Sequence, residues 1–307
     1  GLQPLQGAGR RAAAPHAMTG LLARFWIALI TATHGWRQAT RTRLGNWLGA
    51  LLWWCVPARR RVALANLAAC FPAWSDAQRR TVARACFARV ARGILDHAVL
   101  WKAEREAVQR YVRIEGEEHL RHVREGTVIA IAPHFVGLDA GGVRLNTMVR
   151  GVSIYARQSS PAWDDWLLAI RSRFHAPLLL ARGADLRAAV RAMKQGMPFY
   201  YLPDMDNGPD NSIFVPFFGV QAATLPMVSR LARLAGAKVI VVVTEMTDDG
   251  YVLHVEPPWS DFPTASVEED TRRMNAAIER WVLRLPDQYL WTHKRFKTRP
   301  PGAPSIY

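Results

Sequence analysis

At 307 residues, half of them hydrophobic and with mean hydropathy near zero, the chain is long enough for one large domain with a full core or for two small ones. Its formal net charge of +15 is unevenly placed: residues 1–110 hold 17 Lys/Arg against 4 Asp/Glu, and the remainder 23 against 21. That surplus marks the N-terminal third as a surface for an anionic partner. The three cysteines show no CxxC and no histidine cluster, so they read as buried thiols in a reducing compartment, with neither a zinc module nor a disulfide framework.

Residues 1–17 are rich in Ala, Gly and Pro and read as a disordered or non-native leader, with Met18 a candidate natural start. Residues 18–108 read as helical and basic. Trp26, Trp36, Trp47, Trp53 and Trp54 lie there among arginines and leucines, the mixture that a membrane surface selects. Nucleic acid is the rival anion, but zinc-finger spacing is absent and the aromatics are tryptophans among leucines. Residues 21–36 are apolar apart from Arg24, and 44–58 are charge-free but contain Gly45, Gly49 and Pro57. Neither reaches the roughly 18 uninterrupted apolar residues of a spanning helix, so a monotopic or single-anchor arrangement is expected. A helix over 18–36 crosses only if Arg24 snorkels.

Ser75 and Gln78 give a capping-box signal for a helix whose stripe is Val82, Ala85, Cys86, Val90, Ile94 and Ala98. From Tyr111 the pattern changes. Strand-like runs fall at 111–114, 127–132, 151–156, 177–181, 198–202, 238–246 and 251–256, with helix-like stretches at 138–149, 162–174, 184–195, 224–236 and 267–285. The alternation predicts an α/β fold, a largely parallel sheet covered by helices, with 251–256 folded back across Asp248-Asp249-Gly250. The expected division is a helical, membrane-associating region at 18–108, an α/β core at 109–300 and a tail at 301–307.

The most informative stretch is His134-Phe-Val-Gly-Leu-Asp139, at the junction of the buried 127–132 strand and the helix after it. If the first helical turn brings the carboxylate back to one imidazole nitrogen, the other is free to take a proton from a hydroxyl. A surface histidine near a capping aspartate is the competing explanation. Pro203-Asp204-Met205-Asp206 follows the strand at 198–202; it reads as a metal pair lacking further ligands, an Asx turn, or an anchor in which Asp204 holds an arginine or orders the loop beside the His134–Asp139 pair. Arg182-Gly183 ends another strand, where an arginine suits phosphate or an oxyanion. Arg171 and Arg173 read equally as surface charge. Phe214-Val-Pro-Phe-Phe-Gly219 reads as an apolar loop that either packs in the core or lines an acyl chain. No G-x-S-x-G, P-loop or dinucleotide signature is present.

Taken together, six runs resemble the bacterial lipid A late acyltransferases of the lysophospholipid-acyltransferase-like superfamily. They are residues 59–72 (RRRVALANLAACFP), 132–139 (APHFVGLD), 155–157 (YAR), 202–208 (LPDMDNG), 214–219 (FVPFFG) with Ala223-Thr224, and 289–300 (YLWTHKRFKTRP). The resemblance implies an O-acyltransferase using an acyl carrier protein thioester, with no metal or other cofactor and no acyl-enzyme. The acceptor it implies is a hydroxyl of a lipid A precursor at the cytoplasmic face of the bacterial inner membrane. It puts the catalytic histidine on His134 and its acidic partner on Asp139, where many members carry Glu. The family's other functional arginine and aspartate fall on Arg171 and Asp204. Arg157 and Arg182 are further substrate-binding candidates, although Arg157 is followed by Gln158-Ser-Ser-Pro161 and not by the family's common asparagine-containing context. An acidic carrier protein would meet either the basic third or residues 294–297. The same chemistry serves another glycolipid, a lysophospholipid or glycerol phosphate. A non-catalytic protein of anionic membranes is the alternative of a different class.

Overall fold

The computed structural model describes residues 14–181 and 186–307. Five helices come first: α1 (Ala14–Ala32), α2 (Gln38–Cys55), α3 (Pro57–Cys70), α4 (Asp76–Lys102) and α5 (Arg105–Tyr111). The Ser75 and Gln78 side chains cap α4 reciprocally. Helix α2 lies close along α4 because Gly45 and Gly49 face it; a Cβ on Gly45 would come within 2.7 Å of Arg92 Cβ, and one on Gly49 would collide with the Ala88 backbone. A buried cluster fixes this hairpin to the rest of the molecule. Asp96 accepts from Arg41 Nε at 2.9 Å, Arg92 Nε at 3.3 Å and the Tyr251 hydroxyl at 2.9 Å, so one buried carboxylate serves two buried guanidiniums.

The other side of the hairpin is unusual for a soluble surface. Trp47 and Trp54 on α2 are 63% and 70% exposed, and Leu21, Phe25, Trp26 and Leu29 on α1 are exposed as well. Among the described residues, no helix is long and apolar enough to cross a membrane. Helix α1 is partly packed inward, through Ile30, and Thr33 just beyond its end is buried as well.

The core is α/β. Strands β1 (Val112–Glu115), β2 (Val128–Ile131), β3 (Val152–Tyr155), β4 (Leu178–Ala181), β5 (Phe199–Tyr201), β8 (Lys238–Met246) and β9 (Tyr251–Val255) form one sheet in the order β1-β9-β8-β2-β5-β3-β4. All its pairings are parallel except β8 with β9, the hairpin expected across 248–250. Strand β2 is central and buried on both faces, which is why it reads as an uninterrupted apolar run. Ile129 and Ile131 join the cluster under α9 (Leu186–Lys194), α10 (Met227–Ala235) and α11 (Val267–Arg284); Val128 and Ala130 join the one under α7 (Leu138–Asn146) and α8 (Pro161–Arg171). A short α6 (Leu120–Glu125) precedes β2.

One expected loop is a hairpin. Residues 214–219 belong to β6 (Ile213–Phe217), paired antiparallel with β7 (Val220–Thr224). Its turn holds Phe218 and Gly219 at positive φ, the geometry of a two-residue hairpin turn. Val215 and Phe217 are core residues, as the packing alternative expects, while Phe214 and Pro216 on the other face of the strand are half-buried. The helix expected from 224 consequently starts after Pro226.

Candidate functional site

Parallel pairing of β2 with β5 matches Ile131 to Tyr201, and the Ala132 amide continues the ladder to the Tyr201 carbonyl. The loops leaving both strands at their C-terminal ends are therefore side by side, where open α/β sheets collect ligands. His134 stands on one loop and Asp204 on the other. The His134 Nδ1 lies 2.7 Å from Asp204 Oδ1, and the His134 backbone N–H donates to Asp204 Oδ2 at 2.9 Å. Both carboxylate oxygens thus orient a single residue. Because Nδ1 faces a carboxylate it carries the ring proton in the neutral imidazole, which leaves Nε2 as the basic nitrogen. Burial on its own would raise the Asp204 pKa; the charge and hydrogen bonds of His134, with His293 behind them, hold it well below the usual carboxylate range.

Asp139 does not partner His134. Its Oδ1 accepts from Arg171 Nε at 2.8 Å and forms an ion pair with Arg171 Nη2 at 2.7 Å, and its Oδ2 lies 3.1 Å from His97 Nε2. The reason lies in α7. Gly137 and Gly141 sit so close to Thr244 on β8 that any side chain there would collide. Asp139, two residues before Gly141, is turned by about 200° around the helix, toward α4 and α8 and away from the His134 loop. Burial opposes ionisation of Asp139, but Arg171 and His97 outweigh it and hold its pKa well below normal. His97 Nδ1 is 2.7 Å from the Gly93 carbonyl. Both its nitrogens face acceptors, so the site favours the protonated ring, which donates from both. Burial disfavours that charge, yet Asp139 and the Gly93 carbonyl raise the His97 pKa above its ordinary value despite nearby Arg171.

Arg171 therefore joins the expected acidic residue, and Asp204 the expected histidine, so four of the six candidate residues fall into two pairs. Arg157 is exposed on the loop after β3 and joins neither. Arg182 lies outside the described residues. Asp206 turns from Asp204 to accept from Thr298 N–H at 2.6 Å and Thr298 Oγ1 at 2.8 Å, anchoring the C-terminal segment. Within the basic run 294–297, Arg295 is buried; it donates to the Ala223 carbonyl and Thr224 Oγ1 and lies over the Phe217 ring. It is therefore not available to a carrier protein.

Two residues of the site escaped the sequence. His97 is one polar position on a long helix, and its spacing gives no signal that it meets Asp139. His293 lies in the 289–300 run, which folds back under the His134 loop: Leu290 N–H donates to the His134 carbonyl, and Val136 N–H donates to the Gln288 carbonyl. Beside Asp139 and Arg171 an apolar cavity of about 130 Å³ opens between the sheet and α7–α8, with Leu145, Val152, Tyr155 and Leu179 in its wall.

This geometry coincides with a clear kinship. Residues 11–298 match the family described as bacterial lipid A biosynthesis acyltransferase. The lipid A biosynthesis lauroyltransferase of Escherichia coli K12 is 33% identical over 270 residues, covering 86% of this chain and 88% of that protein. The lipid A biosynthesis myristoyltransferase of the same organism is 32% identical over 296 residues, covering 95% and 90%. Among solved structures, the 1-acyl-sn-glycerophosphate acyltransferase PlsC from Thermotoga maritima aligns at a TM-score of 0.39 and 17% identity, over 80% of this chain and 97% of that one. The chain belongs to the bacterial lipid A biosynthesis acyltransferases.

Proposed function

We propose that this acyltransferase moves a fatty acyl group from an acyl carrier protein thioester to a hydroxyl of a lipid A precursor, with His134 as general base. The observation that carries this reading is the 2.7 Å contact between His134 Nδ1 and Asp204 Oδ1. His134 Nε2 takes the hydroxyl proton, the alkoxide oxygen attacks the thioester carbonyl carbon, and the tetrahedral intermediate expels the carrier's thiolate. The thiolate recovers the proton from His134. Asp204 holds the productive tautomer and stabilises the imidazolium, the task expectation had given to Asp139. Asp139 and Arg171 border the apolar cavity, which suits the acyl chain. The exposed tryptophans and leucines of α1 and α2, with Arg24, Arg37 and Arg43 exposed beside them, suit the anionic inner membrane where such an acceptor resides.

The test is turnover of purified protein on acylated carrier protein and lipid A precursor, with the acylated product weighed by mass spectrometry. His134→Ala should lower kcat by ~10²–10⁴-fold while the protein still folds; near-normal turnover would remove the mechanism. In parallel the protein should cosediment with anionic vesicles and release as salt rises; absence of vesicle binding would overturn the membrane part. Acylation of lysophospholipid in preference to lipid A precursor would replace the acceptor.

A further inference from the structure

His293 is held against the reacting centre by its own backbone. Its N–H donates to the Leu290 carbonyl at 3.2 Å, and its carbonyl accepts from Asn66 Nδ2 at 2.6 Å and from Arg295 N–H at 3.0 Å. Asn66 is buried on α3; it also donates to the Trp291 carbonyl and accepts from the Tyr307 hydroxyl. Arg59 secures the neighbouring Thr292 carbonyl. All this fixes a ring that itself hydrogen-bonds to no described residue. The imidazole meets the His134 ring edge to face, with centroids 4.8 Å apart and an interplanar angle of 63°.

A polar side chain left without a partner, on a clamped backbone and touching the ring that takes the proton, is placed for the substrate. Attack on a thioester moves negative charge onto the carbonyl oxygen, and the donor that meets it works best when already in position. Resting on the acyl-transfer reading above, we propose that the His293 imidazole donates a ring N–H hydrogen bond to the thioester carbonyl oxygen as it becomes an oxyanion. No proton is transferred in this contact; the carbonyl π electrons shift to oxygen and return when the C–S bond breaks. Burial first, then the charges of His134 and Arg59, lower the His293 pKa to about 4 despite Asp204. The ring therefore remains a neutral donor at working pH and does not compete with His134 for the hydroxyl proton. His134, Asp204 and Arg59 are the charged and titratable groups that act on it.

The experiment is steady-state kinetics of His293→Ala, His293→Gln and His134→Ala on acylated carrier protein and lipid A precursor, with melting curves for each. His293→Ala should lose about 100-fold in kcat, with KM for both substrates changed by less than about threefold. His293→Gln, which keeps an N–H, should recover roughly tenfold of that loss. The pH of the acid limb should stay in place, because the group removed is neutral across it. Should His293→Ala lose its melting transition, His293→Phe decides, since it fills the same space without a donor and should show the same kcat loss. Near-normal kcat in a folded Ala or Phe variant would overturn the proposal, as would a loss carried by KM, a shifted acid limb, or a Gln variant no better than Ala. An active His134→Ala enzyme would instead bring down the acyl-transfer reading beneath it; an inactive one beside a normal His293→Ala would sink the oxyanion role alone.

Discussion

Two buried-side carboxylates, Asp204 and Asp139, stand at the ends of neighbouring elements, and both have pKa values held well below normal. They differ in what holds them. Asp204 faces one imidazole, a partner whose charge comes and goes with a proton. Asp139 faces Arg171, a permanent cation, and His97, whose pKa is raised. A carboxylate whose only side-chain partner is an imidazole can answer to a proton transfer there, whereas one forked to a permanent guanidinium is held chiefly as a structural anchor. The structure thus divides two tasks that the H-x4-D spacing assigns to a single pair.

The largest effect should come from Asp204. Asp204→Asn keeps the shape but presents an amide that can donate, which favours the wrong His134 tautomer; kcat should fall by ~10³–10⁴-fold with little change in KM. Steady-state kinetics on the two substrates measures this. A loss smaller than that of Asp139→Asn would reverse the assignment of the two carboxylates.

Asp139→Asn should be felt first in stability. It leaves Arg171 and His97 facing each other without an anion. Removing one member of a fully buried pair costs about 3–5 kcal/mol. These side chains are 24%, 30% and 15% exposed, so solvent screening reduces that to roughly 2 kcal/mol. Thermal unfolding should show a Tm lower by about 5 °C. An unchanged Tm together with complete loss of turnover would restore Asp139 as the partner of His134.

Much of the sheet was legible because its strands are either continuous apolar runs, like 128–131, or bounded by turn residues, like the Asp248-Asp249-Gly250 hairpin. The 213–224 hairpin was not, since Pro216 and the paired phenylalanines obscure the alternation that places Val215 and Phe217 inward. The site was half legible. His134 and Asp204 each follow a strand, a position that sequence reveals. That β2 and β5 are neighbours depends on strand order, which no local pattern encodes. The rotation of α7 that removes Asp139 depends on Gly137 and Gly141 meeting Thr244, more than a hundred residues away. His97 and His293 reach the site by the same kind of long-range contact.

The smallest effect separates the two carboxylates by pH. The folded-state pKa of His97 is raised, so its contribution to stability is fully present below the unfolded value of about 6.5 and is lost as pH rises through the folded one. Asp204, with its lowered pKa, contributes above the unfolded carboxylate value of about 3.9 and loses that contribution only as pH falls through the folded pKa. Consequently the Tm gap between wild type and His97→Gln should be widest near pH 6 and should narrow toward pH 9. The gap for Asp204→Asn should shrink in acid, as its carboxylate takes up a proton. The expected His97 gap is about 1 kcal/mol, since the glutamine keeps a hydrogen bond to Asp139 and loses only the charge. Differential scanning at several pH values resolves this. A His97→Gln gap that does not change with pH would mean that the ring is neutral, and that Asp139 is held by Arg171 alone.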